Sequence, residues 1–197
     1  MSWQLMTPPE TEPVSLLEAK HHLRVDHDED DDLIRSLIVA AREAAESLTG
    51  RQLVTAQWRF VLDRFPGRGS GEGQPIWLAK CPVQRIGGVD YLAIDGQWRA
   101  MPPTDYVLHP TREPARLAPA FGTTWPMTLP EQASVVITLT AGYGSPSMVP
   151  DGIKSWIKLR LGALYTHREE IAYLAKGRLD PLPFVDRLLD PFRIVTL

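Results

Sequence analysis

Asp26, Asp28 and Asp30 take alternate positions in the run Asp26-His27-Asp28-Glu29-Asp30-Asp31-Asp32, and that spacing matches the start of a calcium-binding EF-hand loop. The loop needs glycine at its sixth position and a bidentate glutamate at its twelfth, where this chain has Asp31 and Leu37. A two-metal nuclease also uses carboxylates, but it gathers them from separate elements around a cleft, so one contiguous run fits it poorly. The acids read instead as solvated charge ahead of a helix N-terminus, where the macrodipole favours them. His21, His22 and His27 could be ligands, yet neighbours on a helix point about 100° apart and no i,i+4 pair is present, so they read as exposed histidines. Cys81 is the sole cysteine, sits between Lys80 and Pro82, and reads as a packed small hydrophobe. No nucleophile elbow, P-loop or dinucleotide fingerprint occurs, and the glycines around Ser70 precede no helix. Nothing in the sequence argues for an enzyme, a cofactor or a metal.

The elements that would have to hold such groups follow from composition and periodicity. The chain has 197 residues, 44% of them hydrophobic, and a formal charge of -3. It is long enough to bury a core, and its lone cysteine excludes an internal disulfide framework. It shows no apolar window of membrane-spanning length and no signal-peptide pattern, so a cytoplasmic protein with no membrane partner is expected. Residues 1–50 hold four Lys/Arg against eleven Asp/Glu, while residues 51–197 hold seventeen against thirteen. No basic block follows from these counts, which disfavours autonomous DNA binding but leaves room for a surface that DNA slides past.

Three stretches organise the chain. The lead Thr7-Pro8-Pro9-Glu10-Thr11-Glu12-Pro13 reads as extended. Ser15 and Glu18 have capping-box spacing for a short helix from Leu16 to about Leu23. A longer helix follows the acidic run, with Leu33, Ile34, Leu37, Ile38, Ala41, Ala45 and Leu48 at helical period, i,i+4 pairs Asp31–Arg35 and Arg42–Glu46, and Thr49-Gly50 at its end. From Arg51 the period changes to two, predicting six or seven short strands. These are Trp58 to Leu62, Ile76 to Leu78, a hairpin of Val89 to Ile94 with Gln97 to Met101 closed by a type I′ turn at Asp95-Gly96, Tyr106 to Leu108, Ala115 to Ala118 and Ser134 to Thr140. A second long helix starts after Val149-Pro150 with Asp151 as its N-cap, and an apolar tail follows from Leu182 to Arg193. The fold class is therefore α+β, divided as residues 1–56, 57–145 and 146–197.

Apolar surface is the remaining clue. The Ala40-Ala41 and Ala44-Ala45 face allows close helix approach, and the apolar tail needs something to cover it. A second reading puts Trp77, Trp98, Trp125 and Tyr91 on the sheet as a stacking platform of a small hydrolase or sugar-binding module.

Several segments together resemble the gp6-like head–tail connector, or adaptor, family of long-tailed phages. They are Leu17-Glu18-Ala19-Lys20 with Leu23-Arg24-Val25-Asp26, Asp31-Asp32-Leu33-Ile34 with Leu37-Ile38, Ala41-Arg42-Glu43 and Thr49-Gly50-Arg51. Toward the other end they are Val149-Pro150 with Ile153-Lys154, Leu164-Tyr165 with Arg168-Glu169, and Leu188-Leu189-Asp190-Pro191-Phe192-Arg193. The resemblance covers about residues 15–60 and 145–195, whereas the strand-rich middle is typical only in kind.

The resemblance implies a small α-helical bundle from both chain ends with an inserted antiparallel β-rich lobe. Copies of it would form a ring, dodecameric by the family pattern, between the portal protein and the stopper or tail-completion protein. Such a ring sits at the head–tail interface of a phage or gene transfer agent particle, and DNA passes through its lumen without sequence-specific binding. Phe184, Leu188, Leu189, Pro191, Phe192 and Arg193 are then assigned to portal docking. Leu33, Leu37, Ala41, Ala44, Trp156 and Arg168 are assigned to packing between subunits, because a closed heterologous ring needs two different faces on each copy.

Overall fold

Ser15 starts the first helix as its spacing predicts. Its hydroxyl accepts from the Glu18 amide, and the Glu18 carboxylate accepts from the Ser15 amide at 2.8 Å. The computed structural model describes residues 1–67, 73–166 and 183–194. Over these residues the chain is mixed α+β, with four α-helices and two antiparallel sheets arranged in two compact units.

The strand-rich unit is built from Met1–Glu10 and Thr55–Tyr143. Its strands are β1 (Ser2–Thr7), β2 (Ala56–Leu62), β3 (Ile76–Leu78), β4 (Val83–Leu92), β5 (Trp98–Ala100), β6 (Tyr106–His109), β7 (Ala115–Pro119) and β8 (Val135–Ala141). One sheet has the order β1-β2-β8-β4-β5 and the other β3-β7-β6. β8 is central in the first, and Val135, Ile137, Leu139 and Ala141 are fully buried along one face, with Phe60 opposite Ile137 and Val89 on its other side. Alternate residues point to opposite faces of a strand, so Arg59, Thr138 and Gly88 share the other side. The second sheet contributes Ile76, Leu78, Ala115 and Leu117 to the buried set, beside Trp125 stacked on Phe65 at 4.8 Å. Cys81 is buried there, its thiol 3.3 Å from the Leu78 carbonyl.

Three details depart from expectation. Ahead of the proline-rich lead, Ser2–Thr7 forms a strand outside those expected from periodicity: β1 pairs along β2, and Trp3 stacks on Phe60 at 4.2 Å. β4 begins at Val83 rather than Val89, passing through two register shifts, one between Val83 and Arg85 and one between Ile86 and Gly88. A Cβ on Gly87 would lie 3.4 Å from the Thr138 carbonyl, so the glycine permits close strand approach at a place where its composition hides a strand. The hairpin is present, but of Asp95 and Gly96 only Gly96 has positive φ. A type I′ turn needs positive φ at both central residues; here the Gly96 amide reaches the Ala93 carbonyl and the Ala93 amide reaches the Gln97 carbonyl, a three-residue loop with Gly96 as the left-handed residue.

The helical unit is built from Thr11–Val54 and Gly144–Ile194. It contains α1 (Leu16–Leu23), α2 (Asp31–Thr49), α3 (Asp151–Thr166) and α4 (Pro183–Arg187). α1, α2 and α3 pack on one another around Ala19, Ile34, Ile38, Ala41, Ala45, Ile153, Trp156, Ile157 and Leu161, all at most 2% exposed. Gly50 closes α2 with φ +70, as its place just past the helix end predicts. α3 includes Asp151 as its first helical residue rather than as its cap, and the Pro150 carbonyl takes the amides of Ile153 and Lys154.

Candidate docking surfaces

The acidic run is built into the helical unit more firmly than a solvated cluster. Lys20 of α1 reaches Asp28 at 2.5 Å and Asp31 at 2.8 Å, and the Tyr165 hydroxyl donates to Asp30. Hydrogen bonding to Lys20 holds the Asp28 carboxyl below its ordinary range, and the two aspartates raise the Lys20 ammonium. Asp32 is fully exposed and pairs with Arg35 at 2.9 Å. His21, His22 and His27 are not buried, and no group of three or more His, Cys, Asp or Glu among the described residues could hold a metal ion.

Arg42 holds α2 to the segment before α1. Its nearly buried guanidinium meets Glu12 and Glu46 at 2.8 Å each and Glu43 at 3.5 Å. Desolvation raises the Glu12 carboxyl despite Arg42, while hydrogen bonds from Ser15 lower that of Glu18. The Arg42–Glu46 pair is legible as an i,i+4 spacing; the Glu12 contact, thirty residues away in sequence, is not.

The C-terminal segment lies against its own helical unit. Leu189 is fully buried, the Trp156 indole donates to Asp186 at 3.0 Å, the Arg51 guanidinium donates to the Phe192 carbonyl, and the Ile194 amide donates to the Thr49 carbonyl at 2.9 Å. Gly152 makes room for the Phe192 ring, which would be 3.0 Å from a Cβ at that position. Of the residues assigned to portal docking, Pro191 and Arg193 retain surface and so do Leu188 and Phe192, whereas Leu189 is part of the interior. The Phe184 side chain lies outside the described residues.

The residues assigned to subunit packing divide in the same way. Leu33, Leu37 and Ala44 are half-buried on α2 and retain surface, but Ala41 and Trp156 are buried inside the unit and cannot present a face to a neighbour. Helical period marks all of them as apolar-face residues; it does not mark which side of that face the unit itself consumes. Arg168 lies outside the described residues.

The aromatic residues do not form one platform. Trp77 lies on β3 with the Arg116 guanidinium 3.9 Å over its ring, Trp98 lies on β5 of the other sheet, and Trp125 is only 8% exposed, its indole donating to the Gln74 carbonyl at 2.9 Å. Beside Trp98, an open depression of about 390 Å³ is lined by Arg59, Asp90, Arg99, Ala100 and Val136. It mixes both charge signs over a sheet face and presents no nucleophile with a base. No helix among the described residues is long and apolar enough to cross a membrane.

Residues 13–73 match the family described as phage gp6-like head-tail connector protein. No curated protein matches the chain. Among solved structures, the chain is similar to a subunit in the neck of an empty gene transfer agent (GTA) particle computed with C6 symmetry, with TM-score 0.78 and 23% identity. It is likewise similar to chains in the virion of a native gene transfer agent particle, TM-score 0.79, and in the neck of a native GTA particle computed with C12 symmetry, TM-score 0.76, each at 23% identity. Each comparison covers 100% of this chain and 97% of the other. The chain thus carries the gp6-like head-tail connector signature over residues 13–73, on a fold that it shares from end to end with a chain in the neck of a GTA particle.

Proposed function

We propose that the chain is a head–tail adaptor of a phage or gene transfer agent particle, forming a ring between the portal protein and the stopper or tail-completion protein. The observation that carries this reading is that the connector signature of residues 13–73 lies on a fold matching a neck subunit over its full length. In this reading the helices drawn from two separate stretches of chain form the connector core, and the strand-rich unit is the inserted lobe. Twelve copies would close the ring; a neck with a similar chain was computed with C12 symmetry. The net negative charge suits a lumen through which DNA moves without adhering.

Portal docking falls to the C-terminal segment, through the surface of Leu188, Pro191, Phe192 and Arg193, with Leu189 as the anchor that holds this surface in shape. Phe184 and Arg168 keep the roles that the family resemblance implies for them, at the portal and between subunits. Light scattering of the full chain, alone and with the portal protein of the same particle, tests the reading. Stoichiometric ring formation on the portal is expected; a chain that stays monomeric and ignores the portal overturns it.

A further inference from the structure

α2 carries more apolar surface than the described residues of its unit cover. Ile34, Ile38, Ala41 and Ala45 are at most 2% exposed, but a second stripe, Leu33, Leu37, Ala40, Ala44 and Leu48, runs beside them. At 100° per residue these five positions fall within about 80° of one another. Ala40 is exposed and Leu48 is 43% exposed, while the other three are half-buried. The side of the stripe away from the core carries Asp32 and Glu43 together with Ser36 and Ser47, all exposed; Asp32 pairs with Arg35 at 2.9 Å, so this side holds two acids against one arginine and is acidic by one charge. Arg42 lies 3.5 Å from Glu43 but closer, at 2.8 Å, to both Glu12 and Glu46.

α3 has the opposite arrangement. Ser155, Leu159 and Ala163 form an uncharged outward strip, with Leu159 41% exposed and Ala163 exposed. Lys154 and Lys158 flank it on one side and Arg160 on the other. Glu18 of α1 lies near Lys154 and Lys158, and Asp151, three residues before Lys154, is on the same side; with Arg160 on the far side, three bases face two acids around the strip and leave it basic by one charge. The two helices are opposite in charge as wholes: α2 holds four acids and two arginines, whereas α3 holds one acid and three bases.

We infer that the Leu33–Leu48 stripe of α2 docks on the Ser155–Leu159–Ala163 strip of α3 of a second copy, acidic rim against basic rim. This rests on the adaptor reading and names the two unlike faces that a closed heterologous ring requires. Charge selects the pairing: α2 against α2 would oppose two acidic rims, and α3 against α3 two basic ones. Small residues on the α3 strip let the leucines of α2 approach closely.

Ring assembly on the portal, followed by light scattering at low salt, tests it with reversed rims. Asp32→Lys with Glu43→Lys, and separately Lys154→Glu with Lys158→Glu, should each weaken assembly about tenfold, and the four changes together should restore it. Leu48→Glu, at an exposed position, should block assembly with the far-UV circular dichroism unchanged. Assembly that survives either reversal or Leu48→Glu, or a combined variant no better than its parents, overturns the inference while the adaptor reading stands. A wild-type chain that does not assemble on its portal overturns both.

Discussion

Arg51 and Phe192 stand 141 residues apart in sequence, yet the Arg51 guanidinium donates to the Phe192 main-chain carbonyl. Beside this bond the Ile194 amide reaches Thr49, so the end of α2 and the last described turn of the chain close against each other. The side-chain surface that the adaptor reading gives to the portal is therefore held in place by main-chain bonds that leave its side chains available.

Leu189 is the apolar anchor of that closure. Leu189→Ala should destabilise the protein by about 2–5 kcal/mol, because the methyls removed are fully buried. Hydrogen exchange should show the Ile194 and Phe192 amides losing protection first. Unchanged protection at both amides would show that the segment is held without Leu189.

Arg42 neutralises two partly buried carboxylates, so Arg42→Met should cost about 3–5 kcal/mol at neutral pH by leaving Glu12 and Glu46 without this cation. Part of the loss should return on mild acidification, since Glu12, already raised by burial, then takes up a proton. Urea unfolding of both proteins at neutral and mildly acidic pH checks this, and a gap that does not narrow on acidification would contradict it.

Asp28 and Glu18 have lowered carboxyl pKa values, so each contributes stability above its unfolded value that is lost as pH falls through its folded one. Glu12 has the opposite sign: its contribution is present below the unfolded value and lost as pH rises through the raised folded one. Lys20→Met should return the Asp28 carboxyl toward its ordinary range, read by carbon-detected NMR titration, and leave Glu18 lowered by Ser15. An Asp28 titration unmoved by the substitution would assign its shift to another cause.

Local signals in the sequence reach far into the fold. The Ser15–Glu18 capping box, the Gly50 cap, the period of Ile34, Ile38, Ala41 and Ala45, and the alternation through Phe60 and Leu62 all act within a few residues, and all appear in the structure. The resemblance behind the adaptor reading is likewise carried by short spaced motifs. What periodicity cannot say is which neighbour covers each apolar residue. Ala41, Trp156 and Leu189 share the character of Leu33, Leu37 and Phe192, yet the first three are interior and the others keep surface.

Tertiary structure also decided the elements whose local preference is weak or misleading. β1 alternates only over Ser2-Trp3-Gln4-Leu5 before Met6 breaks the pattern, too short a run to mark a strand by itself, and β2 offers it an edge and Phe60 a stacking partner for Trp3. β4 crosses Gly87-Gly88, which reads as loop but admits the close approach of β8. Asp28, Asp30 and Asp31 look like free charge until Lys20 and Tyr165 arrive from α1 and α3. The sequence by itself determined periods, caps and the connector signature, because these depend on neighbours along the chain. Burial, distant ion pairs and the division between inner and outer faces depend on neighbours in space, and only the folded chain supplies them.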